Sequence, residues 1–141
     1  MTDTKKAYLD QFVRGFAKTD VDRATRLLPK AEAVTAALCE IFTDKDPLLT
    51  STGMVSLYYL LARSAKDRET LQGLHRTLLV EFNQTRDTNR QLAEKDIGAA
   101  SYELLEFDRL AQSPNDQVAL EYRLKVLRRW VRRRLGRSGK N

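Results

Sequence analysis

Apolar residues recur along this chain at helical spacing, every three or four positions. Leu9, Phe12 and Phe16, with Tyr8 and Val13 beside them, predict a first helix over Thr4–Lys18. Thr19-Asp20 reads as a stop and a new cap. A short helical piece follows to Leu28, and Pro29 either ends it or restarts the next helix at its first turn. Lys30–Phe42 is amphipathic, with Val34, Ala37, Leu38, Ile41 and Phe42 in phase, and Asp44-Lys45-Asp46-Pro47 is a loop. Leu48–Arg63 is the most apolar stretch. Ser51-Thr52-Gly53 supplies a cap or a kink, and Met54 to Leu61 is apolar nearly all round, which places that helix in the middle of a bundle. Tyr58 and Tyr59 cannot face the same side, so at least one hydroxyl is expected to reach a partner or water.

Leu71, Leu74, Leu78 and Phe82, with Leu79 adjoining, predict a long helix capped near Asp67. Asn83 to Arg90 carries no apolar side chain and reads as a projecting helix end or a loop. Ile97, Ala100, Leu104 and Phe107 mark the next helix, closed at Ser113-Pro114. Nowhere does the alternation of a β-strand appear, and no repeat of fixed period. The expectation is an all-α protein: a single compact bundle of five to seven helices, one domain over residues 1–141.

The last helix departs from the rest. Asn115 or Asp116 is a natural N-cap after Pro114, and Gly136 stands where a helix usually stops, leaving 136–141 as a flexible basic tail. Leu120, Leu124, Leu127, Val131 and Leu135 form an apolar stripe. Tyr122, Val126 and Trp130 form a second row. Lys125, Arg128, Arg129, Arg132 and Arg133 share an arc away from the leucines. Residues 121–141 hold nine of the 25 Lys and Arg against Glu121 alone, a net of +8, while residues 1–120 carry a net of −2. Like charges at i, i+4 repel by a few tenths of a kcal/mol per pair. An anionic partner, or Glu and Asp from the acidic body of the chain, would offset them.

Composition narrows the chemistry. At 141 residues with 42% hydrophobic and 31% charged content, the chain suits a folded soluble domain with a real core. Cys39 is the one cysteine and His75 the one histidine. Cys39 lies on the apolar side of its helical pattern and is expected to be a small buried residue. One cysteine makes no intrachain disulfide, which fits a reducing cytoplasm. Two such ligands are too few for zinc. His75, next to Leu74 and Leu78, reads as structural. Glu103, Glu106 and Asp108 read as an ordinary acidic surface, and Asp44 and Asp46 lack the rest of a calcium loop. Gly53, Gly73 and Gly98 are isolated, so no phosphate-cradling glycine loop is present. The longest apolar run, Met54–Ala62, is far short of the ~20 residues of a membrane span. No enzyme, cofactor or metal site is expected.

Three stretches together resemble one family. Leu28-Pro29 follows the first helices, Gly53 opens the run Met54-Val55-Ser56-Leu57-Tyr58-Tyr59, and the last helix carries Leu127-Arg128-Arg129-Trp130-Val131-Arg132-Arg133. In this order, over roughly residues 5–135, the chain resembles the small helical subunit of type III CRISPR–Cas effector complexes of the Cmr type. That resemblance implies an all-α, non-catalytic subunit of an antiviral-defence complex, stacked along target RNA. The expected function is therefore nucleic-acid binding, of RNA or single strands, within a larger protein complex. Lys125, Arg128, Arg129, Arg132 and Arg133 would contact phosphates, with Arg137 and Lys140 extending the track, and Trp130 or Tyr122 would stack a base. Packing against the preceding helix is the competing role for Trp130. The alternative function is a protein-interaction or adaptor bundle whose basic helix docks an acidic partner, with Asn83–Arg90 as a second contact. A membrane-surface anchor is disfavoured, because the leucine stripe is expected to be used by the core.

Overall fold

The computed structural model describes residues 10–11, 13–15, 21–66, 73–114 and 116–138, so the expected first helix, the Asp67 cap, Leu71 and Lys140 lie outside or mostly outside the described residues. From Val21 onward the described residues form five α-helices: α1 (Val21–Ile41), α2 (Thr52–Lys66), α3 (Arg76–Lys95), α4 (Tyr102–Arg109) and α5 (Gln117–Ser138). Short 3₁₀ turns at Pro47–Leu49 and Leu110–Gln112 complete the path, and no strand occurs among the described residues. The all-α bundle expected from periodicity is the one observed.

Helix α5 is the common wall. It packs against α2, α3 and α4, and α1 lies on α2. Leu57, Leu79, Phe82, Phe107 and Leu127 are fully buried in the shared core. Full burial of each such side chain stabilises by about 1.5–3 kcal/mol. Phe82 meets Phe107 edge-on at 5.2 Å and Trp130 at 5.5 Å, and Phe42 meets Tyr58 at 5.3 Å. These rings lock α3, α4 and α5 together and α1 to α2.

Several local expectations need correction. Pro29 neither ends nor starts a helix but sits inside α1. Both Pro29 and Thr25, four residues before it, are exposed, so the proline ring sits on the solvent side of the helix. Cys39 is exposed. It is turned about 100° from Leu38, off the face that Val34, Leu38 and Ile41 present to α2. Helix α3 begins at Arg76, with His75 as its exposed, extended N-cap residue, so Leu74 reaches the core from outside the helix. Ile97 lies in an exposed turn that Asp96 closes by accepting from Gly98 N at 2.9 Å. Gly136 does not stop α5, which continues to Ser138. No described glycine has positive φ, so Gly136 makes no left-handed cap, and the expected tail from 136 is helical at its start.

The polar run Asn83–Arg90 is neither a loop nor a projection. It is the middle of α3, and its polar side chains do the packing. Asn83 Nδ2 donates to the buried Tyr58 hydroxyl at 3.3 Å, the partner anticipated for one of the two tyrosines. Asn89 is buried and behaves like a length of backbone: Nδ2 donates to Ser101 O at 3.1 Å and Oδ1 accepts from Ser101 N at 2.7 Å. This pair fixes the entry to α4.

Asp46 ties the α1–α2 loop to α3. Its carboxylate is 2% exposed and accepts from Thr43 N, Thr43 Oγ1, Leu48 N, and Arg76 Nε and Nη2. Lys45 just before it has φ 51°, a left-handed conformation tolerated to aim Asp46 inward. The Arg76 hydrogen bond holds the carboxyl well below the usual carboxylate range, burial opposes it, and the Leu48 and Thr43 amides add to the lowering. A carboxylate depressed in this way stabilises the fold above its unfolded pKa of about 3.9, and that stability drains away as pH falls below it. Asp46→Asn is expected to cost about 2–4 kcal/mol at pH 7 and to flatten the acid limb of urea-unfolding free energies measured from pH 5 to pH 2.

Candidate nucleic-acid interface

The leucine stripe and the Tyr122/Val126/Trp130 row of α5 are two edges of one wide buried arc. Leu120, Leu124, Leu127 and Val131 are buried along one edge and Ala119 and Val126 along the other. Between the edges falls Arg123, which is 1% exposed. On the opposite side Lys125, Arg132 and Arg133 are exposed. Half of the helix is thus core and half is a cationic surface.

The five expected phosphate contacts separate into three groups. Lys125, Arg132 and Arg133 point outward, and no carboxylate lies within ion-pair distance of them among the described residues. Arg128 is half-buried and its Nε donates to Ser64 Oγ of α2 at 3.0 Å. Arg129 is ion-paired with Glu103 of α4. The side chain of Arg137 lies outside the described ones. Trp130 is half-buried, with Phe82 against its ring and the Arg134 guanidinium 5.1 Å from its centroid, so it packs against α3. Tyr122 is half-buried against the core, and burial pushes its hydroxyl pKa up, with Glu103 and Glu106 adding to the rise.

The acidic cluster of α4 is spent within the fold. Glu103 holds Arg129, Glu106 holds Arg109 at 2.6 Å, and Asp108 takes Arg86 at 2.5 Å with Arg90 at 3.4 Å. The Arg109 hydrogen bond lowers the pKa of Glu106. Among the described residues, internal carboxylates reach the basic helix at Arg129, through Glu103, and at Arg134, through Glu81 at 3.8 Å.

One cation came from outside α5. Arg63 of α2 is exposed and lines a groove with Leu60, Ser64, Leu124, Lys125 and Arg128. No periodicity in α5 could reveal it. A wheel drawn over both helices, with Leu57, Leu61 and Leu124, Leu127 facing each other, would have set it at the seam.

The other residue missed is Arg123, although its place midway between two apolar rows was a readable signal. Its guanidinium lies 4.8 Å from the centroid of the Phe107 ring, which Arg86 also approaches at 4.7 Å. Arg123 Nη2 reaches Met54 Sδ at 3.4 Å, while Nε and Nη1 have no hydrogen-bond partner. A Cβ on Gly53 would stand 3.3 Å from Arg123 Nη1 and 3.0 Å from Pro114 Cβ, so glycine there lets α2 begin against this group. Burial, and then the nearby Arg86, push the Arg123 pKa down to about 10.

Among the described residues, no group of three or more His, Cys, Asp or Glu side chains could hold a metal ion, and no helix is long and apolar enough to cross a membrane. No protein-family model, curated protein or solved structure matches the chain.

The two arginines on Phe107 make opposite predictions. Arg123 carries an incompletely bonded buried charge, so Arg123→Met is expected to be neutral or to raise stability by about 1–3 kcal/mol. Arg86→Met leaves Asp108 held by the outer Arg90 alone and is expected to cost about 2–4 kcal/mol. Chemical unfolding of the two variants side by side checks both signs.

Proposed function

We propose that this protein is a non-catalytic nucleic-acid-binding subunit that holds RNA or another single strand by its phosphates along the outer face of α5. The observation that carries the reading is the outward placement of Lys125, Arg132 and Arg133, with Arg63 and Arg128 beside them. Lys125, Arg132 and Arg133, held on a rigid helix with no carboxylate in ion-pair distance among the described residues, are available to displace the counterions of a phosphate backbone. The helix repeats them at i+3 and i+4, so they form a track. Arg129 contributes less, because binding phosphate would compete with Glu103. Trp130 is engaged by Phe82 and Arg134, so stacking adds little and sequence preference is expected to be weak. The resemblance to the small subunits of Cmr-type complexes points the same way, to a stacked antiviral-defence subunit along target RNA.

Fluorescence anisotropy with labelled single-stranded RNA and length-matched duplex DNA tests this across salt. Four or five neutralised phosphates on a single strand give a slope of log K against log salt of about −3. Lys125→Glu, Arg132→Glu and Arg133→Glu together are expected to weaken binding at least ~100-fold at low salt. Unchanged affinity in that triple variant, or no binding by the unmodified protein at low salt, refutes the reading.

A further inference from the structure

The seam between α2 and α5 is more than a row of cations. At one end it opens into a cavity of about 200 Å³, floored by Leu61, Leu74, Val131 and Leu135, with Ser64, Arg128 and Arg132 also lining it. At the other end Leu60 and Leu124 continue the apolar floor between Arg63 and Lys125, up to Glu121. Ser64 and Arg128 line both parts, so the two adjoin along one seam, with the Arg128–Ser64 hydrogen bond between them. From Glu121 to Leu135 it follows α5 for about 20 Å at 1.5 Å per residue.

An apolar floor walled by cations selects its occupant. A nucleic acid would use the walls and leave the floor empty, because the lining is aliphatic and neither Trp130 nor Tyr122 is part of it. A flat lipid surface cannot enter a concave seam. A helix with apolar residues at i, i+3, i+4 and i+7 and carboxylates on its flanks satisfies both floor and walls. We infer that the α2–α5 groove docks an acidic amphipathic helix of a protein partner, with an apolar anchor in the cavity against Leu61, Val131 and Leu135 and carboxylates against Arg63, Lys125, Arg128 and Arg132. Of the phosphate track, Arg63, Lys125, Arg128 and Arg132 line this groove and are shared with it, whereas Arg133, exposed on α5, does not. A subunit held in an assembly by this seam keeps the Arg133 side of α5 for nucleic acid.

The test uses the full chain and three synthetic peptides of about 14 residues. One is an acidic helix with leucines at the spacing above, one is the same composition with the leucines out of phase, and one keeps the leucines but replaces every Glu by Lys. Calorimetry at ~150 mM salt is expected to rank the first at least ~10-fold tighter than either control. The methyl resonances of Leu61, Leu74 and Val131 are expected to shift with it. Ser64→Phe, which fills the cavity without changing charge, is expected to weaken the peptide at least ~10-fold and to leave RNA affinity within twofold. Arg133→Glu is expected to do the reverse. Equal binding of the in-phase and out-of-phase acidic peptides overturns the proposal, as do unmoved methyl resonances in the unmodified protein, a reading that needs no variant to fold. RNA that shifts those same methyls would assign the groove to nucleic acid and overturn it too. Failure of all RNA binding, with the peptide ranking intact, removes the phosphate track and leaves the groove.

Discussion

The burial of one side of α5 is the constraint on which the structure depends. Helices α2, α3 and α4 each find their apolar partner there, and α1 is attached through α2. That burial fixes the rotation of α5 about its own axis. Once Leu120, Leu124, Leu127 and Val131 face inward, Lys125, Arg132 and Arg133 must face outward, because 100° per residue leaves them no other direction. The core and the cationic surface are consequences of one orientation. The same density of charge spread around the helix would have left α5 unable to serve as a wall.

Positive charge near a helix C-terminus is also favourable in itself, since it opposes the partial negative charge of the last carbonyls. Arg134, just before the last turn of a helix that ends at Ser138, gains a little from this, and Arg132 and Arg133 less. The effect is worth a fraction of a kcal/mol per charge and acts within the last turn. It does not extend to Lys125 or Arg128, a turn or more further back, nor to Arg63 on another helix. The α2–α5 seam gathers cations beyond what the helix terminus alone rewards.

Polar side chains elsewhere do structural work usually given to apolar ones. Asn89 clamps Ser101, Asp46 gathers five donors, and Arg86 and Arg123 both lie against Phe107. In each of the first two every side-chain polar atom has a partner, which defines the local geometry at small cost. Arg123 is different, with two nitrogens unpartnered beside the first turn of α2, whose amides add further positive potential. Its cost is partly offset by the aromatic face and the thioether of Met54.

The sequence by itself determined the helical class, the two-sidedness of α5, the concentration of charge at one end and most of the core, because these follow from a period of 3.6 residues and from composition. Val34, Leu57, Leu78, Phe82, Phe107 and Leu127 were all legible in that way. It did not determine how polar residues divide between surface and interior. Asn83–Arg90 looked like a solvated end because no apolar residue marks it, yet Tyr58, Ser101 and Asp108 make it an inner surface. Arg129 and Arg133 are close on a helical wheel, and among the described residues it is Glu103 on α4, paired with Arg129, that tells them apart. Arg63 and the cavity by Leu135 belong to the meeting of two helices. A hydrogen bond or an ion pair depends on a partner far away in the chain, and local periodicity carries no record of that distance. Tertiary packing decides it.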